Sequence, residues 1–198
     1  FAQAKSGYSA DEIAAIFTGE DWGAVFRGEV PREDKAVIQK EREETYFSGD
    51  ILGFADGKTE LPGGLNSMQG LKILYREILS DIPLDADFDK LGIPFRAVGT
   101  KLETGEAVAF KEGDLVESIL VSMAVPGVFA PRVIDGVAYV DGGMSTNLPV
   151  KTIQDMGADI IIALDTTVPP RKSDGRYSVN ETLQQLLTVT IYNNAMRD

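Results

Sequence analysis

The segment that most restricts the fold is a helix stop followed by an uninterrupted apolar run. Pro149 to Met156 reads as a helix closed by Gly157, and Ile160-Ile161-Ile162-Ala163-Leu164 then follows without a polar residue before Asp165. A strand wetted on one face alternates apolar and polar side chains. A run without alternation predicts cover on both faces, as in a parallel strand between helix layers. Helices alternating with such strands predict an α/β chain with an open, mostly parallel sheet flanked by helices. Nothing marks an internal boundary or repeat, so residues 1–198 are expected to form one domain.

The remaining elements read as follows. Phe1–Lys5 is the last turn of a helix stopped by Gly7, and Ser9 with Glu12 forms a capping box for a helix that turns Ile13, Ile16 and Phe17 inward. Residues 27–65 are the least regular; short strands are expected at Glu44–Phe47 and Ile51–Phe54, on a possible flap or lid. Ser67–Leu79 is helical, with Leu71, Leu74, Tyr75 and Ile78 on one face. That face is either core or the entry for an acyl chain. Phe95–Thr100 and Glu106–Phe110 are strands joined through Glu103-Thr104-Gly105, and Asp114 with Glu117 is a second capping box for a helix ending before Pro126. Arg132–Ile134 and Val137–Asp141 form a hairpin across Asp135-Gly136. From Ser178 onward, Leu183, Leu186, Leu187, Thr190, Ile191 and Asn194 keep helical spacing.

Composition excludes several chemistries. The chain has no histidine and no cysteine, so it can build no Ser-His-Asp triad, no imidazole shuttle, no disulfide and no His- or Cys-ligated metal site. Acid–base work falls to carboxylates, Lys or Tyr, and neither metal nor cofactor is expected. Lys and Arg number 19 against 31 Asp and Glu, a net charge of −12, which argues against nucleic acid as a partner. Ile119–Ala130 is too short to cross a bilayer and is broken by Pro126-Gly127, so only peripheral membrane contact is open to it. The chain reads as soluble, and a cytoplasmic or an exported bacterial setting fits equally.

Several motif look-alikes fail on spacing. Gly53 and Gly57 ahead of Lys58-Thr59 are separated by three residues where a phosphate loop needs four, so Asp56-Gly57 reads as a hairpin turn. Asp85, Asp87 and Asp89 open like a calcium loop, but Lys90 stands where Gly is required and Arg96 where Glu is. No Gly-x-Ser-x-Gly and no Ser-x-x-Lys occurs. What survives is Asp141-Gly142-Gly143 at the exit of a core strand, where open α/β sheets place ligands and where glycines leave a carboxylate uncovered. Alone, Asp-Gly-Gly reads equally as a turn.

The surrounding sequence supplies a resemblance. Ser122-Met123-Ala124-Val125-Pro126-Gly127, then Tyr139-Val140-Asp141-Gly142-Gly143 and Asn147-Leu148-Pro149-Val150, closely resembles the patatin-like phospholipases. Ile93–Val98, Leu102–Gly105 and Gly157-Ala158-Asp159 extend the similarity, and Gly7–Glu12 looks like the segment after that family's nucleophile helix. A departure occurs at Thr100-Lys101, where members commonly carry Thr-Asp. The resemblance implies a three-layer α/β/α fold and lipid acyl ester hydrolysis by a Ser-Asp dyad, in which serine attacks the ester and aspartate takes its proton.

By the motif match, Asp141 is the implied base, within the motif Asp141, Gly142, Gly143. The implied nucleophile elbow and oxyanion loop precede the segment matching Phe1, so the chain is expected to be the C-terminal portion of a catalytic domain. Its expected partners are the N-terminal part of the same protein and a lipid or acyl ester substrate. Ser145 reads as a loop hydroxyl capping the helix at Pro149. The competing expectation is a non-catalytic patatin-fold scaffold that binds lipid or protein.

Overall fold

In the computed structural model, which describes residues 9–27, 53–55, 58–60, 68–172, 175 and 177–198, the chain opens on the helix its capping box announces. Helix α1 (Ala10–Gly19) has Ser9 as N-cap: the Glu12 N–H donates to Ser9 Oγ at 3.3 Å, and the Ser9 N–H donates to Glu12 Oε2 at 2.8 Å. The inward face expected for it is realised only in part: Ile13 and Ile16 are half-buried and Phe17 is exposed. No residue of α1 is buried, and Phe17 stacks on the ring of Trp22 at 5.2 Å, at the start of α2 (Trp22–Arg27). A helical period fixes which residues share a face; what covers the face is a tertiary matter.

Strands β1 (Gly53–Ala55) and β2 (Lys58–Glu60) pair antiparallel with Ala55 opposite Lys58; the turn expected at Asp56-Gly57 itself lies outside the described residues. The strand expected at Glu44–Phe47, the helical turn at Phe1–Lys5 and most of the possible flap lie outside the described residues. Helix α3 (Gln69–Ile78) buries Leu71, Leu74 and Tyr75, so this face is core. The two-residue strand β3 (Ala86–Asp87) leads into a 3-10 turn at Phe88–Lys90, where the Asp87 carboxylate accepts from the Asp89 N–H and pairs with Lys90. The calcium-loop look-alike is therefore an acidic turn closed on itself.

Next come β4 (Ala97–Lys101), β5 (Ala107–Phe110), the short β6 (Glu112–Gly113) and helix α4 (Leu115–Ser122). The hairpin of β7 (Arg132–Ile134) and β8 (Val137–Asp141) has the bounds and turn the sequence predicts, with Asp135 and Gly136 both at positive φ, 50° and 80°. Strand order is β5-β4-β8-β7, and β3 pairs separately with β6. The interior strand β4 is buried from Ala97 through Thr100 and is backed by α4, whose Leu115, Val116, Ile119 and Leu120 join Leu71, Tyr75, Phe88 and Phe129 in the core.

Helices packed on a sheet make the chain α/β, as expected. Every ladder among the described residues is nevertheless antiparallel, not parallel. The run chosen as a buried parallel strand forms no strand. After α5 (Val150–Asp155), which Met156 caps ahead of Gly157, residues 158–165 form neither helix nor strand, with Ile160, Ile162 and Leu164 exposed by 85%, 94% and 81%. Apolar character states that a strand needs cover, but a ladder also needs a neighbour with free N–H and C=O groups. Helix α6 (Val179–Ala195) closes the chain, with a complete Ser178–Glu181 capping box; Leu183 and Leu186 are exposed, whereas Asn194 and Ala195 are buried.

The second capping box forms by half. Asp114 accepts from the N–H groups of Val116 and Glu117 and also pairs with Arg76, but the Glu117 side chain does not turn back to the cap. It binds Lys72 Nζ at 2.7 Å and Arg132 Nε at 3.2 Å, joining α3, α4 and β7. Burial, the largest single influence, pushes this carboxyl up; the two cations together outweigh it and hold it below the usual carboxylate range. A depressed acid contributes stability above its unfolded pKa and loses it as pH falls through the folded value. Glu117→Gln is therefore expected to lower stability at pH 7 by about 1–3 kcal/mol, since Arg132 is left without its counter-charge. Denaturant titrations should show that deficit shrinking in acid; a pH-independent deficit would mean that the ion pairs are not its source.

Candidate active site

The site is built where β8 leaves the sheet. Asp141 is the last residue of the strand, with its Cα opposite Gly99 and its N–H donating to the Ala124 carbonyl at 3.0 Å. The chain then enters a 3-10 turn at Gly142–Met144. Gly142 is demanded by close approach, since a Cβ there would lie 2.4 Å from the Val98 carbonyl oxygen; one on Gly143 would lie 2.7 Å from Asn147 Oδ1, a side-chain atom that can move aside. The turn presses flat against β4 and brings the Gly143 N–H under the Asp141 carboxylate, where it donates to Oδ1 at 2.7 Å.

The electrostatics of this carboxylate set it apart from its neighbours. Asp87, Asp114, Glu117 and Asp155 each pair with Lys or Arg. Asp141 is half-buried, and among the described residues no cation pairs with it and no donor reaches Oδ2. Burial pushes its pKa above the ordinary aspartate value, and the Gly143 N–H bond opposes only part of that rise. An exposed Asp near pH 4 is a weak base at neutrality; a raised one is better matched to accepting a proton from a hydroxyl.

The carbonyls beside Asp141 are fixed by a pair of hydroxyls. Thr100, buried in β4, donates through Oγ1 to the Asp141 carbonyl at 2.9 Å, and its hydroxyl lies 2.8 Å from Ser145 Oγ. Ser145 Oγ donates to the Gly142 carbonyl at 3.2 Å. Ser145 thus braces the turn and does not cap α5, whose N-cap Pro149 has no side-chain cap bond. Thr100 is a site residue that motif reading misses. Its signal is available only from register, since it pairs with Val140, one residue before Asp141.

Asp141, Gly142 and Gly143 therefore come together as one unit, joined by Thr100, Ser145 and Asn147. Among the described residues no group of three or more Asp or Glu could hold a metal ion, and no helix is long and apolar enough to cross a membrane.

Comparison with known proteins bears on this loop directly. The profile of the patatin-like phospholipase family matches residues 15–153, a span that contains it. A Mycobacterium tuberculosis protein described as an uncharacterized NTE family protein is 39% identical over 88 residues, which is 44% of this chain and 24% of the relative. Patatin-like phospholipase domain-containing protein 7 of mouse is 26% identical over 168 residues, 83% of this chain and 12% of its own length. Human patatin-like phospholipase domain-containing protein 6 is 31% identical over 163 residues, 81% of this chain and 11% of its own length. The chain thus spans a quarter or less of each of these relatives. With the family profile matched across β4, α4, β8 and the Asp141 turn, the chain belongs to the patatin-like phospholipase family.

Proposed function

We propose that this chain supplies the proton-accepting half of a lipid acyl ester hydrolase, with Asp141 as the base of a Ser-Asp dyad. The serine is contributed by polypeptide outside these 198 residues, which contain no Gly-x-Ser-x-Gly. The observation that carries the reading is the state of Asp141: half-buried, free of any cation among the described residues, raised in pKa, and bonded on Oδ1 while Oδ2 stays open.

The chemistry follows from that state. Oδ2 takes the proton of the seryl hydroxyl as its oxygen attacks the ester carbonyl, giving a tetrahedral oxyanion. Collapse breaks the ester C–O bond, and the proton on Asp141 leaves with the alcohol. Water then gives a proton to Asp141 and its oxygen to the acyl-serine. When that second intermediate collapses, the fatty acid departs and the proton on Asp141 returns to the seryl oxygen. Gly143 keeps the carboxylate oriented through both halves. The exposed Ile160, Ile162 and Leu164, in a stretch that pairs with no strand among the described residues, offer the partner polypeptide apolar surface to cover.

A fluorophosphonate ester, which labels activated serines, tests the proposal. The 198-residue chain alone is expected to remain unlabelled and to turn over no acyl ester. A protein that also carries the preceding polypeptide is expected to be labelled on a serine within Gly-x-Ser-x-Gly. Turnover by the chain alone, abolished by Asp141→Asn, would refute the division of the dyad. Absence of such a serine upstream would point to a binding scaffold instead.

A further inference from the structure

We propose that the end of α6 positions the Asp141 carboxylate, with Asn194 and Asp198 as positioning residues that clamp the two ends of its loop. The inference rests on Asp141 being the base, and it assigns a role to a segment beyond the 15–153 span of the family profile. Asn194 is only 3% exposed, and its Nδ2 donates to the Gly143 carbonyl at 3.0 Å, while its Oδ1 accepts from the Arg197 guanidinium. Asp198 Oδ2 accepts from the N–H groups of Asn147 at 2.7 Å and Leu148 at 2.9 Å. These contacts join residues 50 or 51 positions apart, so local chain geometry does not create them.

The coupling to the carboxylate is geometric. Gly143 gives its N–H to Asp141 and its C=O to Asn194, so one residue is held from both sides. Without the Asn194 donor, a buried carbonyl is left unpaired, and a glycine backbone can swing to relieve it at little torsional resistance. That swing withdraws the N–H from Asp141. At the far end, Asp198 fixes two successive amides, so the loop cannot take up slack from that side either.

The test is a carboxyl-carbon NMR titration of Asp141 in the full 198-residue chain, read with amide exchange at Gly143. Asn194→Leu removes the donor without adding charge; Asp198→Ala sits at an exposed position and keeps the test available if the buried variant does not fold. Losing the Gly143 bond is expected to raise the Asp141 pKa by roughly half to one unit. The same loss should speed Gly143 exchange about tenfold or more. Deleting the negative charge of Asp198 would by itself lower the Asp141 pKa, so an upward shift in that variant separates positioning from simple charge removal. Unchanged titration and exchange in the folded variants would overturn the inference. Failure of Asp141 as the base would appear elsewhere, in retained turnover by Asp141→Asn in a protein bearing the serine, which this titration does not consult.

Discussion

Asp141→Asn is expected to reduce kcat of the serine-bearing hydrolase by about a hundredfold to ten-thousandfold, the range general-base removal produces. The same change is expected to raise the thermal midpoint of the 198-residue chain at pH 7. Both follow from one cause. Burial pushes the Asp141 pKa up, so the native state binds a proton more tightly than the unfolded chain. For such a group the penalty is absent below the unfolded pKa, grows as pH rises toward the folded pKa, and is complete above it. An amide at this position still accepts the Gly143 N–H through its oxygen but bears no charge to desolvate. The stabilisation by Asn should therefore be present at pH 7 and vanish toward pH 3, a signature that thermal unfolding across that range reads directly. In the active hydrolase, kcat/KM should fall on the acid side as Asp141 becomes protonated. A midpoint lowered at pH 7, or a gain that persists at pH 3, would show that the carboxylate is not held at a desolvation cost.

How much of this was legible in the sequence depends on whether the signal was local. The hairpin at Asp135-Gly136 and the cap at Ser9 are written in residues that touch one another, and each formed where expected. Asp141 was legible through its motif, because the glycine that lets β4 approach, Gly142, leaves a mark in the chain. The braces of the site were not. Thr100 reaches the Asp141 carbonyl across a strand pair, and Asn194 reaches Gly143 from a helix far along the chain, so no spacing rule connects them. Glu117 shows the same limit in reverse: it stands at capping-box spacing, yet two cations brought by α3 and β7 claim its carboxylate. The apolar run at Ile160–Leu164 misled for a related reason, since its hydrophobicity encodes a demand for cover without naming the neighbour that meets it.

Gly142→Ala is expected to be the most damaging single-methyl change in the site. Its added Cβ would sit 2.4 Å from the Val98 carbonyl oxygen and 2.8 Å from the Val98 carbonyl carbon. Those are backbone atoms of an interior strand bonded on both sides, so no rotamer change relieves the contact. Either β4 or the turn must move, at about 1–3 kcal/mol of stability for an overpacked interior. Moving the turn carries Asp141 with it, and a displacement near 1 Å at a reacting group is enough for roughly a hundredfold loss of turnover. Gly143→Ala provides the internal contrast. Its tightest contact is the side-chain oxygen of Asn147 at 2.7 Å, which can rotate away, so its stability loss should be the smaller of the two. Chemical denaturation of both variants, with turnover measured in the serine-bearing protein, decides the point. Equal stability losses, or a Gly142→Ala enzyme with parental kcat, would mean that the packing of the turn against Val98 does not hold the carboxylate in place.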